Sequence, residues 1–380
     1  MKNYEFDDLN KEFTVRLYRP GDELEIVSLL QLTFGGWPHL DMKCSSLDHW
    51  RWKYGDNPAE PMCITVAISQ NEIIGCQHSV QNRIKIGDEV FLCGIVSDLA
   101  VHPDFRRMRV HTRMTEVRTE FKKKTGISLT YFMSGNPIVI NAYSKKRPQF
   151  PHSVQNLVRI RDISAHLKAI PEKNAWLMKL GFHVVNFRND LRNAFRIPVS
   201  QSPGLSVYNV SRFDDRIVEF WKQVSTNYSF IVERSRDYLN WRYCDTRAGD
   251  FVVKTAEEDG RLLGYSVLKI NKHLRDYPIG FIVDLLTLPD RLDAVEILVA
   301  DAVKYFDKND VNIVNYLVVK DHPNESVFKR HGFLDSRIKL RLFYNTKEVV
   351  EKMRTLNTLP ASSIFFSWGD HDSLPVNIPT

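Results

Sequence analysis

The two halves of this 380-residue chain are diverged copies of each other, and this constrains the fold more than any single motif. "HWRWKYGD" (49–56) matches "LNWRYCD" (239–245), and "NEIIGC" (71–76) matches "GRLLGY" (260–265). "IVSDLAVHPD" (95–104) matches "FIVDLLTLPD" (281–290), and "NPIVINAYSKKRPQF" (136–150) matches "HPNESVFKRHGF" (322–333). The matches keep their order and nearly one offset: Trp52 to Trp241 is 189 residues, Gly75 to Gly264 is 189, Asp98 to Asp284 is 186 and Asn136 to Asn324 is 188. Solenoids repeat every 20–50 residues or so. A period of half the chain therefore implies two copies of one domain, which the length also suits.

Each copy has the same coarse order. A first strand, "FTVRLYR", leads into a helix in which Leu24, Val27, Leu30 and Phe34 fall at helical spacing, with Asp22 as its cap. Strands follow at "CITVAIS" and "IIGCQHSVQNRIKI", around a turn at Asn71, then a longer apolar strand, "VFLCGIVSDLAV". A helix and the strand "SLTYFMS" come next. The second half repeats this with "FVVKTAEE", "LLGYSVLKI", "GFIVDLLTL", the helix "RLDAVEILVADAVKYF" and the strand "VNIVNYLVV". The class is α/β (α+β): two tandem domains, each a twisted mixed sheet flanked by helices. Residues 1–150 form the first domain and 204–380 the second. Residues 151–203 are an irregular connection that can complete the first domain, since "NAWLMKLGFHVV" rivals "NAYSKKRPQF" as its closing helix and strand. The tail "SSIFFSWGDHDSLP" reads as a final strand and a loop.

Composition narrows the function. Hydrophobic residues make up 43% and aromatics 11%, enough for packed cores. A net charge of +6 and a pI near 8.9 fall short of a dedicated nucleic-acid binder and suit one local anion site. The five cysteines, Cys44, Cys63, Cys76, Cys93 and Cys244, form no C-x-x-C pair, which points to a reducing, cytoplasmic setting. The N-terminus carries no signal-peptide pattern, and no run of about 18 apolar residues predicts a membrane span. His39, His102 and His111 are not spaced as metal ligands, and Asp370, His371 and Asp372 in a row cannot all face one ion.

The most informative local stretch is "HPDFRRMRVHTRM" (102–114), between the central strand and a helix whose stripe is Val110, Met114, Val117 and Phe121. Lys122, Lys123 and Lys124 suit the negative end of that helix, and Gly126 can end it. Arg106, Arg107 and Arg109 crowd the positive end, each at a cost of about 0.3–1 kcal/mol unless an anion relieves it. A phosphate at the free N–H groups of the first turn does so. The second copy reads "LPDRLDAVEIL" there; Asp293 and Glu296 satisfy the helix start themselves and repel a phosphate.

With "LAVHPDFRR" ending the central strand, this order resembles the GNAT superfamily of acyl-CoA-dependent N-acyltransferases. Pro103, Arg106 and the helix from Val110 match the family pattern, while its two glycine positions fall on Arg109 and His111. Paired domains in one chain also resemble Fem-type peptidyl transferases and N-myristoyltransferase. The resemblance implies two GNAT-like domains, with acetyl-CoA or another acyl-CoA bound in the first and none in the second. It implies that Arg106, Arg107, Met108, Arg109, Val110, His111 and Thr112 hold the pyrophosphate. Leu99, Ala100 and Val101 hold the pantetheine, and one of their N–H groups polarises the carbonyl. Asn136 matches a cofactor-contacting asparagine, though its counterpart Asn324 suits a cap equally well. Tyr143, where the second copy has Phe328, serves the leaving thiolate. Asp98 is a candidate general base. Its counterpart Asp284 favours a role in the fold, and a water chain is the alternative base.

The expected activity is transfer of an acyl group, acetyl above all, to a small-molecule amine. Trp37, His39, Asp41, Asp48 and Trp50 are placed to build the acceptor site. A catalytically silent acyl-CoA-binding protein is the alternative. Nucleic-acid binding through "RRMRVHTR" and "KKK" is disfavoured because few aromatics interleave with that run. Neither the oligomeric state nor the acceptor's identity is encoded legibly.

Overall fold

The hairpin that starts the first sheet follows from its turn. β2 (Cys63–Ser69) and β3 (Glu72–Ile86) join at Gln70 and Asn71, with φ of 50° and 65°. Two successive left-handed residues form a type I′ turn, whose twist matches that of the strands. The structure, a computed structural model, describes residues 12–39, 41–161, 204–272 and 278–372. It contains two sheets of seven strands.

In the first sheet β1 (Thr14–Leu17) borders β2, and β3 pairs with β4 (Glu89–Val101), which runs parallel to β5 (Leu129–Ser134). In the second, β7 (Leu205–Val210), β9 (Phe251–Glu258), β10 (Arg261–Asn271), β11 (Ile279–Thr287) and β12 (Ile313–Val319) repeat that order, with β11 and β12 parallel. The parallel pairs are connected by α3 (Val110–Thr125) and α6 (Leu292–Lys308).

The copies exchange their last strands. β6 (Val154–Ile160), inside the stretch read as irregular, pairs antiparallel with β12 of the second sheet. β14 (Arg341–Thr346) pairs antiparallel with β5 of the first. A parallel strand pair leaves an open edge, and here each copy covers the other's. β8 (Phe230–Val232), from the second half, also pairs with β3.

A pseudo-twofold contact sits between the copies. Trp52 and Trp241 lie in π-helical turns, Arg51–Gly55 and Asn240–Cys244. Each indole N–H donates to the other residue's carbonyl, at 2.8 and 2.9 Å, and the rings stack at 5.2 Å.

Expectations for two helices of the first copy are corrected. α1 (Glu23–Phe34) buries Ile26, Val27, Leu29 and Leu30, whereas Leu24 and Phe34 are exposed; two stripes share the helical period, and spacing alone does not choose between them. Asp22 does not cap α1, because its carboxylate is taken by Arg16 at 2.6 and 2.8 Å and by the Arg19 N–H. On α3 the buried face runs Val110, Met114, Arg118, with Val117 and Phe121 half-buried on its flank. Gly126 does end this helix, at φ 71°.

The tail is no strand. It makes short 3-10 turns at Ala361–Ser363 and Trp368–Asp370 and one bridge, Ile364 to Phe230. It is held by side chains of both copies: Tyr131 donates to the Asp370 carbonyl and Arg242 to that of His371, each at 2.7 Å. "NAYSKK" forms α4 (Pro137–Ser144), and its rival "NAWLMKLGFHVV" lies outside the described residues.

Candidate active site

A bulge opens the first sheet. β4 and β5 pair from Cys93 opposite Leu129 to Ile95 opposite Tyr131, then diverge. Across β4 on its other side, Ala100 faces Cys76 and Ser97 faces His78, so Gln77 opposes both Asp98 and Leu99. Asp98 takes φ 34° there. Such a bulge bends its strand and re-aims the following groups. His78 holds it: its Nδ1–H donates to the Asp98 carbonyl at 2.8 Å while Nε2 accepts from the Trp50 indole at 3.1 Å. Burial pushes His78 down to about 4, so it is neutral and can accept. Beyond the bulge the His102 N–H bonds to Ile74 of β3. By strand alternation the Leu99 and Val101 N–H groups face the gap, and that of Ala100 faces β3.

The gap is a cleft of about 450 Å³, lined by Ser97, Asp98, Leu99, His111, Thr115 and Tyr143 among others. His111 lies in the first turn of α3, directly after the arginine-rich turn. Arg106, Arg107 and Arg109 are exposed, and among the described residues no side chain or carbonyl binds their guanidinium groups. Arg107 and Arg109 have φ of 69° and 61°, the left-handed conformation that glycine adopts most easily. The turn therefore keeps a glycine-like course with arginines on it. The first internal bond of α3 is from Arg113 to Arg109, which leaves the N–H groups of Val110, His111 and Thr112 without a helical acceptor. Met108 packs on the small apolar cluster of Ala67, Ile74 and Val110 beneath.

The second copy shows the opposite arrangement. Arg291, at the start of α6, is bound by Asp293 (2.7 and 2.8 Å) and Glu258 (3.0 and 3.1 Å). Its strand gap is occupied by the tail: Trp368 packs edge-on to Phe281, and buried Arg234 bridges Asp284 and Asp370. Phe328 stacks on Tyr316 at 3.7 Å, whereas the counterpart Tyr143 lines the open cleft against Phe132. The Asn136 side chain accepts from the Ile138 N–H at 2.9 Å and so caps α4; it does not line the cleft.

A second cavity, about 200 Å³, lies between the copies. The first copy contributes Trp37, His49 and Lys53, the second Arg242 and Tyr243, and the tail Trp368. Phe34, Asp98 and Asp372 line both cavities. At this junction buried Lys53 reaches Asp98 and Asp372, each at 2.8 Å. Tyr54 also donates to Asp98, and Ser97 donates to Asp372 at 2.7 Å. Burial is the largest single influence on Asp98 and opposes its charge, but the Lys53 ammonium, a smaller electrostatic contribution from His78 and the hydrogen bonds from Lys53 and Tyr54 together hold that carboxyl well below the usual range. A tyrosine–aspartate contact recurs in the second copy, where Tyr265 donates to Asp284 at 2.9 Å and Tyr243 lies at 3.5 Å. His49 donates from Nδ1 to the Arg247 carbonyl at 2.8 Å; burial, helped by Lys53, takes it down to about 4.

Of the residues expected around the acceptor, Trp37 and His39 line the second cavity. Asp41 instead accepts from the Lys272 N–H, Asp48 bonds to Ser45 at the start of α2 (Ser46–Trp50), and Trp50 is core. Lys53, Tyr54, Ser97, Arg118 and Asp372 were not singled out from sequence for roles in the site. A signal for two of them existed: Lys53 and Tyr54 sit beside Trp52 in the repeat, opposite Arg242 and Tyr243.

Comparison with known proteins agrees with this architecture. Residues 14–146 match the family model of the acetyltransferase (GNAT) domain. Solved N-myristoyltransferase from Saccharomyces cerevisiae with bound myristoyl-CoA and inhibitors is similar over 91% of this chain and 83% of its own, at TM-score 0.58 and 12% identity. A conserved protein from Enterococcus faecalis, described as a probable N-acyltransferase, is similar over 89% and 73%, at TM-score 0.59 and 11% identity. A GCN5-related N-acetyltransferase from Anabaena variabilis is similar over 88% and 73%, again at 0.59 and 11%. No curated protein sequence matches the chain. Among the described residues no helix is long and apolar enough to cross a membrane. Residues 14–146 thus resemble a GNAT acetyltransferase domain, and the fold of the chain is that of a tandem pair of GNAT-like domains.

Proposed function

We propose that this protein transfers a short acyl group from a CoA thioester to an amine held in the cavity between the copies. One observation carries the reading: a cleft that starts at His111, in the first turn of α3, runs through the opened sheet and meets a second, aromatic-lined cavity at Asp98 and Asp372. The CoA pyrophosphate lies on the N–H groups of Val110, His111 and Thr112, with Arg106, Arg107 and Arg109 giving charge-assisted contacts. The pantetheine follows Val101 and Leu99. The Leu99 N–H polarises the carbonyl as it becomes anionic, and the Tyr143 hydroxyl serves the leaving thiolate.

At the junction Asp98 and Asp372 share Lys53, and buried Arg242 of the second copy lines the same cavity close to Asp372, so the two carboxylates that meet the amine are balanced by two cations. Asp372 takes the amine's proton, directly or through water. Asp98, bound by Lys53 and Tyr54, acts as the electrostatic partner of Lys53 rather than as the base.

That engagement of Asp98 is also what favours the silent-binder reading, because neither carboxylate is free. Calorimetry with acetyl-CoA and then a thiol-release assay over a panel of amines separate the two. Arg106→Glu with Arg109→Glu lowers CoA affinity at least 100-fold while the fold persists by circular dichroism. Unchanged affinity in that variant would remove CoA from this turn.

A further inference from the structure

The inner end of the donor cleft is not built for a plain alkyl chain. Arg118 is only 8% exposed, lines the cleft, and its Nε and Nη1 have no partner among the described residues. It follows His111 and Thr115 on one face of α3, about 10 Å further along the helix than His111. One turn on, Lys122 donates to Thr130 at 3.3 Å, and Thr130 and Arg147, the latter coming in after α4, line the cleft. Among the described residues the titratable groups near Arg118 are His111, Lys122, Cys63, Arg147 and Tyr143, and those near Lys122 are Arg118, Cys63, Cys93 and Arg147. No carboxylate is among them. The acids of this helix, Glu116 and Glu120, pair with Arg113 and Lys123 on its solvent side. A buried guanidinium with unmet donors is strongly destabilising unless a ligand or charge meets it.

The position decides what meets it. Thr130, which Lys122 touches, lies opposite Gly94 where β4 and β5 are still paired, at the closed end of the gap. A CoA with its pyrophosphate at the open end and its thioester at the bulge directs its acyl chain toward that closed end. We infer that the donor is a short acyl group bearing its own carboxylate, with Arg118 as the specificity-determining residue and Lys122 and Arg147 in support. This rests on the assignment of the cleft to CoA.

The test is calorimetry of the full-length protein with free CoA, butyryl-CoA and succinyl-CoA, which differ at the acyl end. Succinyl-CoA binds at least ten-fold more tightly than butyryl-CoA, and Arg118→Gln removes that preference while leaving free CoA affinity within two-fold. Arg147→Gln, at a half-buried position, reduces the preference several-fold and serves if Arg118→Gln does not fold. Equal affinity for the two acyl-CoAs overturns the inference with the CoA assignment intact. Loss of free CoA affinity equal to that of succinyl-CoA in either variant also overturns it, since the cluster then grips a CoA phosphate. If the native protein binds no form of CoA, the assignment of the cleft fails first and the inference falls with it.

Discussion

Lys53 is the residue on which both cavities converge, and its burial makes it sensitive. It separates Asp98 from Asp372, with side chains 6%, 13% and 9% exposed. Removing one partner of a buried ionic group leaves an uncompensated charge and costs about 3–5 kcal/mol. Lys53→Met is therefore expected to lower stability by that amount in urea unfolding at pH 7, because two carboxylates then face each other. Asp98→Asn in the same background recovers part of the loss, since one of the like charges is gone. A single variant within about 0.5 kcal/mol of native would show that water, not the lysine, already screens the pair. The repeat explains why this residue matters here and not in the other copy: Arg242 replaces it and turns to the His371 carbonyl.

At the scale of elements, the paired π-helical turns and the exchanged strands hold the copies together. Each indole of Trp52 and Trp241 donates to the other residue's backbone carbonyl and the rings stack, so replacing either removes its own hydrogen bond and the stack and leaves the partner indole bonded to a carbonyl it no longer packs against. Trp52→Ala and Trp241→Ala are expected to be strongly non-additive, with a coupling of about 1–2 kcal/mol in a double-mutant cycle. Additive effects would mean that the indoles pack independently. Their spacing in the sequence revealed that the two tryptophans correspond, but not that they touch. Correspondence is a property of the alignment of two copies, and contact needs the axis that relates them.

For the whole molecule, the strand exchange makes each half incomplete. A chain ending near residue 203 exposes the β5 edge that β14 covers, and a chain starting there lacks β6 beside β12. Exposed sheet edges promote association. Each half expressed alone is expected to aggregate, and coexpression to yield a soluble complex at the size of the intact chain; two soluble, folded, monomeric halves would overturn this. The sequence by itself determined the duplication, the strand and helix order, the basic helix start and its absence in the second copy, since periodicity, turn chemistry and charge are local properties. Tertiary structure alone decided which copy owns each closing strand, that the tail fills one cleft and borders the other, and that Lys53, Asp98 and Asp372 meet between two cavities. The physical reason is separation along the chain: those contacts join residues from different halves and elements, and no local pattern encodes which of several similar edges, faces or carboxylates will be brought together when the cores pack.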